Sequence, residues 1–384
     1  MATISIEVNK NRADLRQYIE RGTSRLQLDG ASPDLENHIR DSLEMKAQGM
    51  FLWVKLMLEV LEAQTTEQDI LDHLAAAPAD VDGVIREVLK VYSSTLNGKE
   101  AEELNTVIAW MSCAVRPLNM SELDAILRRT SPTGSRVLSL EMKLREKFGS
   151  LITLVRDDGL TTGMLQSRTQ RSDHQPIFDS IPETTTIVFS HASITEYFQR
   201  GEGRHSARKT APKIGVVRSE AHYMALTTCL DVFVSPGKAG RSEEAETLQS
   251  YAKEHWLVHL GGCISVPPSA TTQTRTSANE LLHQFLTNAD SLRGWCYDKD
   301  WSFYSEEAVK IIALWTDTWS KDLNFGLDDD TKTWIVNCQA KPESVFSPAA
   351  SIYALEGLHG EIWPPVPAIL ALVCTSITKF HCSL

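Results

Sequence analysis

The stretch Val188-Phe189-Ser190-His191-Ala192-Ser193-Ile194-Thr195-Glu196-Tyr197-Phe198 reads as a strand running straight into a helix. Thr184–Phe189 is β-branched and aromatic, the composition of a half-buried pleated strand. Ile194, Tyr197 and Phe198 then fall at helical spacing. Ser193 stands three residues before Glu196. That is the spacing of a capping box, in which a hydroxyl accepts one free helix N–H and a carboxylate reaches back for another. His191 is thereby expected at the strand–helix junction, close to a helix N-terminus where an anion is favoured. A histidine there also has a purely local use, packing and hydrogen bonding within the junction.

The flanking chain extends this into a mostly α fold with a small β-hairpin. Leu104, Val107, Ile108 and Met111 stripe one helix; Leu123, Ile126 and Leu127 follow Ser121, read as the cap of a second; Leu140, Leu144 and Phe148 mark a third. Leu151–Val155 is a strand turned by Asp157-Asp158-Gly159, and Thr185–Phe189 is its return. The polar segment between them, Leu160–Thr184, is too long for a tight hairpin and reads as an insertion at the tip.

Upstream, Ile4, Ile6 and Val8 alternate as a strand, and helices follow. Leu15, Tyr18 and Ile19 mark the first. Ser32-Pro33 reads as a cap with proline in the first helical turn, leading into Leu35, Ile39 and Leu43. Gly49–Leu58 carries Phe51, Leu52, Trp53 and Val54 and is apolar nearly all round, so its helix should be deeply buried. Asp69–Leu74 is a short helix, and Val81, Val84, Ile85, Val88, Leu89 and Tyr92 stripe the next. Downstream, residues 201–213 read as a linker. Ile214–Val234, Glu243–Leu260, Asn279–Trp295, Ser305–Lys321 and Thr331–Cys338 read as helices, with a Ser/Thr/Pro loop over Ser265–Ser277. Trp295, Trp301, Trp315, Trp319 and Trp334 supply apolar bulk, and the pattern is lost over 363–384.

Three linked motifs resemble the segment after the nucleotide-binding core of fungal NACHT-type signalling proteins, the STAND or NLR-like group. They are Gly49-Met50-Phe51-Leu52-Trp53-Val54, the turn Val115-Arg116-Pro117-Leu118, and the His191 junction of a winged helix. Glu220-Ala221-His222 with Cys229-Leu230, and Tyr251-Ala252-Lys253-Glu254-His255-Trp256, resemble the family's next two helical segments. The resemblance covers roughly residues 3–260. It implies a remnant of the NACHT region and a helical lid over 1–97, a winged helix over 98–200, the linker 201–213, an α-helical region over 214–362 and a tail over 363–384. It also implies that Phe51 and Trp53 anchor the lid, that Arg116-Pro117 shape a turn, and that His191 faces a nucleotide phosphate when a P-loop is supplied. Relatives in plants and animals carry Met-His-Asp at that turn; here Ser190 and Ala192 flank His191. The function implied is regulatory, in self/non-self recognition or programmed cell death, in the cytoplasm. The partners implied are the missing upstream core or other protein chains.

The chemistry argues the same way. An ATPase of this class needs GxxxxGK[ST], whose backbone N–H groups cradle the phosphates while the lysine neutralises them. Gly98-Lys99 and Gly237-Lys238 lack both the first glycine and the following Ser/Thr. No catalytic residue, cofactor or metal is therefore expected, and the runner-up reading is an ATP/ADP switch completed by an upstream core. His255 and His259 have the i, i+4 spacing of metal ligands but no glutamate in the HExxH position, and read as structural. Ser193 lies on no GxSxG elbow. Lys143, Arg145 and Lys147 on the third helix, with Arg128 and Arg129, raise a DNA-binding winged helix as a third reading. Interleaved Glu141 and Glu146 and a net charge of −12 oppose it. Seven scattered cysteines without a CxxC pair read as buried free thiols. The longest apolar runs, Met50–Leu61 and Val366–Ile377, fall short of the roughly 18–20 residues of a membrane span.

Overall fold

Apolar stripes at helical spacing dominate the chain, and helices dominate the structure. The computed structural model describes residues 11–291 except 27, 29, 132–133, 135–136, 163, 165–179, 202, 206–208, 236–241, 266–271 and 289–290. The strand read over 3–8, most of the insertion 160–184 and everything read beyond 291, including the five tryptophans there, lie outside the described residues. Contacts divide the chain into two compact units, Met1–Met111 with Ser139–Val216, and Ser112–Leu138 with Val217–Leu384.

The first unit opens with α1 (Arg12–Thr23), α2 (Leu35–Ala47), α3 (Phe51–Glu62), α4 (Glu67–Ala75), α5 (Val81–Thr95) and α6 (Gly98–Cys113), whose last two residues pass into the second unit. Leu15 and Ile19 of α1, Leu35, Ile39 and Leu43 of α2, and Val84, Ile85, Val88 and Leu89 of α5 are buried, as their spacing requires. The helix α3 buries Trp53, Val54, Leu56, Met57, Val60 and Leu61 and leaves Phe51 exposed, so it is buried on one face rather than all round. Ser32 does not cap α2, which starts at Leu35 after Asp34. Its hydroxyl donates to Glu67 Oε1 at 2.6 Å instead, tying the approach to α2 to the first turn of α4. Thr66 and Asp80 cap α4 and α5 by accepting from Asp69 N and Gly83 N.

After α6 the first unit resumes with the single turn α8 (Leu140–Met142), which widens into a π turn over Lys143–Lys147 and buries Leu144 and Phe148. The expected hairpin follows as β2 (Ile152–Val155) and β3 (Thr186–Phe189), antiparallel, with Ile152 opposite Phe189 and Leu154 opposite Ile187. Their alternate residues Ile152, Leu154, Ile187 and Phe189 are buried. The helix α9 (Ala192–Arg200) leaves β3 through His191.

Residues 201–213 are more than a linker. They hold β4 (Gly203–His205), which pairs antiparallel with β5 (Ile214–Val216), so residues 214–216 are strand and not helix. Gly215 sits at φ +136, and a Cβ there would lie 2.4 Å from Gly203 O. Only glycine fits so close an approach.

The second unit holds β1 (Leu118–Asn119), α7 (Met120–Thr130), α10 (Arg218–Val234), α11 (Ser242–Ser265) and α12 (Thr272–Thr287). Asn119, not Ser121, caps α7: its side chain accepts from Glu122 N while Glu122 Oε2 accepts from Asn119 N, a complete capping box. Arg128 joins Asp124 to Glu243 and Glu244, and Arg129 pairs with Asp231, locking α7 onto α11 and α10. The helix α12 begins at Thr272, inside the stretch read as a Ser/Thr/Pro loop. Thr272-Gln273-Thr274-Arg275 has no apolar period, so packing of Ala278, Leu282 and Phe285 decides its state. Among the described residues no helix is long and apolar enough to cross a membrane.

Candidate functional site

The His191 junction differs in detail from its sequence reading. His191 itself is the N-cap, in an extended conformation, and its Nδ1 accepts from Ser193 N at 3.1 Å. The helix therefore starts one residue before Ser193, and the Ser193–Glu196 capping box does not form. The ring nitrogen of His191 caps the helix by taking the N–H of Ser193, and Glu196 falls in the second turn, too far along to reach back. With Nδ1 accepting, the neutral imidazole carries its proton on Nε2. His191 is exposed, whereas Ile194, Tyr197 and Phe198 behind it are buried. The junction thus presents one N–H donor to its surroundings.

Trp53 and Phe51 separate. Trp53 is fully buried, and its Nε1 donates to Pro78 O at 2.8 Å, fixing α3 against the loop before α5. Phe51 is 36% exposed and meets Tyr18 edge to face, ring centroids 5.6 Å apart. Beneath α3 lies a polar cluster. Tyr92 Oη donates to Glu59 Oε1 at 2.6 Å and lies 2.8 Å from Ser150 Oγ; Lys55 Nζ donates to the carbonyls of Gly149 and Ser150 at 3.0 and 3.2 Å. Burial holds the Glu59 carboxyl above its ordinary range and lowers the Lys55 ammonium.

The basic residues of the third helix are all matched. Lys143 pairs with Glu103 at 2.7 Å, Lys147 with Glu100 at 2.8 Å, and Arg145 with Glu146 at 3.0 Å and Glu141 at 3.5 Å. This helix presents glutamates as closely as it presents cations.

In the second unit the Arg116-Pro117 turn is tightly built. Arg116 grips both carboxylate oxygens of the buried Glu122, at 2.9 and 2.6 Å, and donates to Pro117 O at 3.2 Å. Its guanidinium lies over the Tyr251 ring, 5.1 Å from the centroid. Val115 N donates to Tyr251 Oη at 3.2 Å. Tyr251 in turn meets His259 Nε2 at 3.0 Å, and His259 Nδ1 faces His222 Nδ1 at 3.4 Å. Cys113 completes the group: one ligand-type atom each from Cys113, His222 and His259 lies within 4.8 Å of the other two. The Cys113 thiol donates to Ala221 O at 3.6 Å. His259 is fully buried and His222 nearly so, while Cys113 is of intermediate exposure. Burial keeps both imidazoles neutral, His259 pushed down to about 3, and pushes the Cys113 thiol up to about 12.

Sequence spacing points to His255 with His259, but the structure pairs His259 with His222 and Cys113. These three stand on separate helices, and no spacing rule joins them. The readable signal is the pairing of faces. His222 and Cys229 are seven apart on α10, and His259 and Cys263 are four apart on α11, so each helix carries one His/Cys face. Cys113, Cys229 and Cys263 are all free thiols. No protein-family model, curated protein or solved structure matches this chain.

Proposed function

We propose that the chain is a non-catalytic regulatory scaffold of the NACHT type, working through contacts with its own nucleotide-binding core or with other protein chains. The observation that carries this reading is the pairing of the third-helix cations with Glu100, Glu103, Glu141 and Glu146. A winged helix that reads DNA needs those charges for phosphate. Here they serve internal ion pairs in a chain of net charge −12, which favours a protein partner. The exposed Nε2–H of His191 favours the runner-up, a nucleotide switch, because it is a donor of the kind that would meet a phosphate if a P-loop core were present.

Titration of the full chain with a fluorescent ADP analogue, alongside a phosphate-release assay with ATP, tests the first reading. Neither saturable binding nor turnover is expected. Tight nucleotide binding by this chain alone would overturn it. Adding a separately expressed NACHT core tests the runner-up: ADP retention that depends on the chain and is lost in His191→Ala would establish the switch.

A further inference from the structure

We propose that Cys113 Sγ, His222 Nδ1 and His259 Nδ1 form a binding site for one divalent, thiophilic transition metal, with Zn²⁺ as the ion that fits. The case is geometric first. Tetrahedral zinc with Zn–N of about 2.0–2.1 Å sets two ligating nitrogens about 3.3–3.4 Å apart. The two Nδ1 atoms stand 3.4 Å apart, already at the separation they would hold across the ion and long for a direct hydrogen bond. The third donor, the Cys113 thiol, lies within 4.8 Å of a ring nitrogen of each histidine. One thiolate and two imidazoles select zinc-like ions over Mg²⁺ or Ca²⁺, which want oxygen.

The surroundings are those of a ligand set. Metal-bound imidazoles are neutral and hand their second N–H to a fixed acceptor. Tyr251 Oη waits 3.0 Å from His259 Nε2, itself held by Val115 N and the Arg116 guanidinium. Gly262 opens the space on α11. A Cβ there would lie 2.3 Å from His222 Nδ1 and 2.5 Å from two carbons of the ring. The proton balance is simple. The proton shared between the two Nδ1 atoms moves to the other nitrogen of its own ring, and the Cys113 thiol releases its proton to solvent as the metal–sulfur bond forms. Binding therefore liberates about one proton per ion.

Titration of the reduced, chelator-treated full chain with Co²⁺ tests this. The expected result is a saturable spectrum at one ion per chain, with the strong visible bands of tetrahedral cobalt and a thiolate charge-transfer band, bleached by Zn²⁺. Cys113→Ser should keep its far-ultraviolet circular dichroism and lose the charge-transfer band. Tyr251→Phe should keep the band with affinity about 10-fold weaker. A natively folded chain that shows no tetrahedral spectrum, or a Cys113→Ser spectrum identical to the parent's, would overturn the proposal. Should Cys113→Ser fail to fold, alkylation of Cys113 in the unmutated chain decides: Zn²⁺ should slow it severalfold, and an unchanged rate refutes the site.

Discussion

The two units each bury a polar cluster, and the clusters solve burial in opposite ways. In the first, Lys55 and Glu59 carry charge into the interior of a helical layer, satisfied by backbone carbonyls, Tyr92 and Ser150. In the second, Cys113, His222 and His259 shed charge: both imidazoles are held neutral and the thiol protonated. A charged cluster satisfied by fixed partners is a structural tie. A neutral cluster of soft donors, with two ring nitrogens facing each other, is arranged for a guest. The difference lies in the donors: the first cluster holds an ammonium and a carboxyl, and the second holds the soft nitrogen and sulfur atoms that the proposed ion would take.

The largest test of the contrast is Trp53→Ala. It empties a fully buried site beside the Lys55–Glu59 cluster and should cost about 3–5 kcal/mol by denaturant unfolding, with amide exchange rising in α3 and α5. Gly262→Ala comes next. Alanine normally stabilises a helix interior by about 1 kcal/mol over glycine. Here its Cβ strikes His222, so the sign should reverse, to a loss of about 1–3 kcal/mol in a melt.

Acid separates the clusters by sign. The folded-state affinity of His259 for a proton is depressed from 6.5 to about 3, chiefly by burial and then by His222 and His255; Cys113 faces it too, and Arg218 acts on His222. The unfolded chain then binds more protons between those values, so stability conferred by this cluster is full above pH 6.5 and is lost as pH falls toward 3. The slope is about 1.4 kcal/mol per pH unit for each proton taken up. Glu59 is raised above its ordinary 4.5 by burial. Its folded form binds the extra proton, so its contribution is full below 4.5 and is lost as pH rises through its folded value. Amide protection factors, corrected for the intrinsic slowing of exchange between pH 7 and 5, should fall in α10 and α11 and hold or rise in α3 and α5. Parallel behaviour in both would break the comparison.

The smallest effects concern caps. Asn119→Ala should cost about 1 kcal/mol. Ser193→Ala, at the position the pattern favoured, should stay within about 0.5 kcal/mol, because its hydroxyl does not cap α9.

What the sequence made legible was periodic. The stripes on α2, α5, α6 and α7, and the hairpin around Asp157-Asp158-Gly159, follow from side-chain spacing, which is a local property. Caps were misplaced because each helix starts earlier than the serine suggested: Asn119 takes the N–H of Glu122, and the His191 ring takes the N–H of Ser193. The β4–β5 pair escaped because strands of three residues, one held at a glycine with φ +136, carry no alternation to read. The Cys113–His222–His259 group was hidden for a different reason. Its members stand on three helices and meet only after these have packed, so no local spacing joins them; His255 and His259, one turn apart, read as structural.

The division of the chain also sets an order of events during synthesis. The first unit is interrupted by Ser112–Leu138, and the rest of the second unit begins at Val217. Arg128 emerges 115 residues before Glu243, the carboxylate it will hold. At ribosomal speeds of about 5–20 residues per second, that wait is roughly 6–23 s. For that interval α7, with its apolar face of Leu123, Ile126 and Leu127, is a helix made early for a bundle that does not yet exist. The nascent chain must therefore carry a sticky helix through that interval, and this is the stage at which a chaperone would find a client.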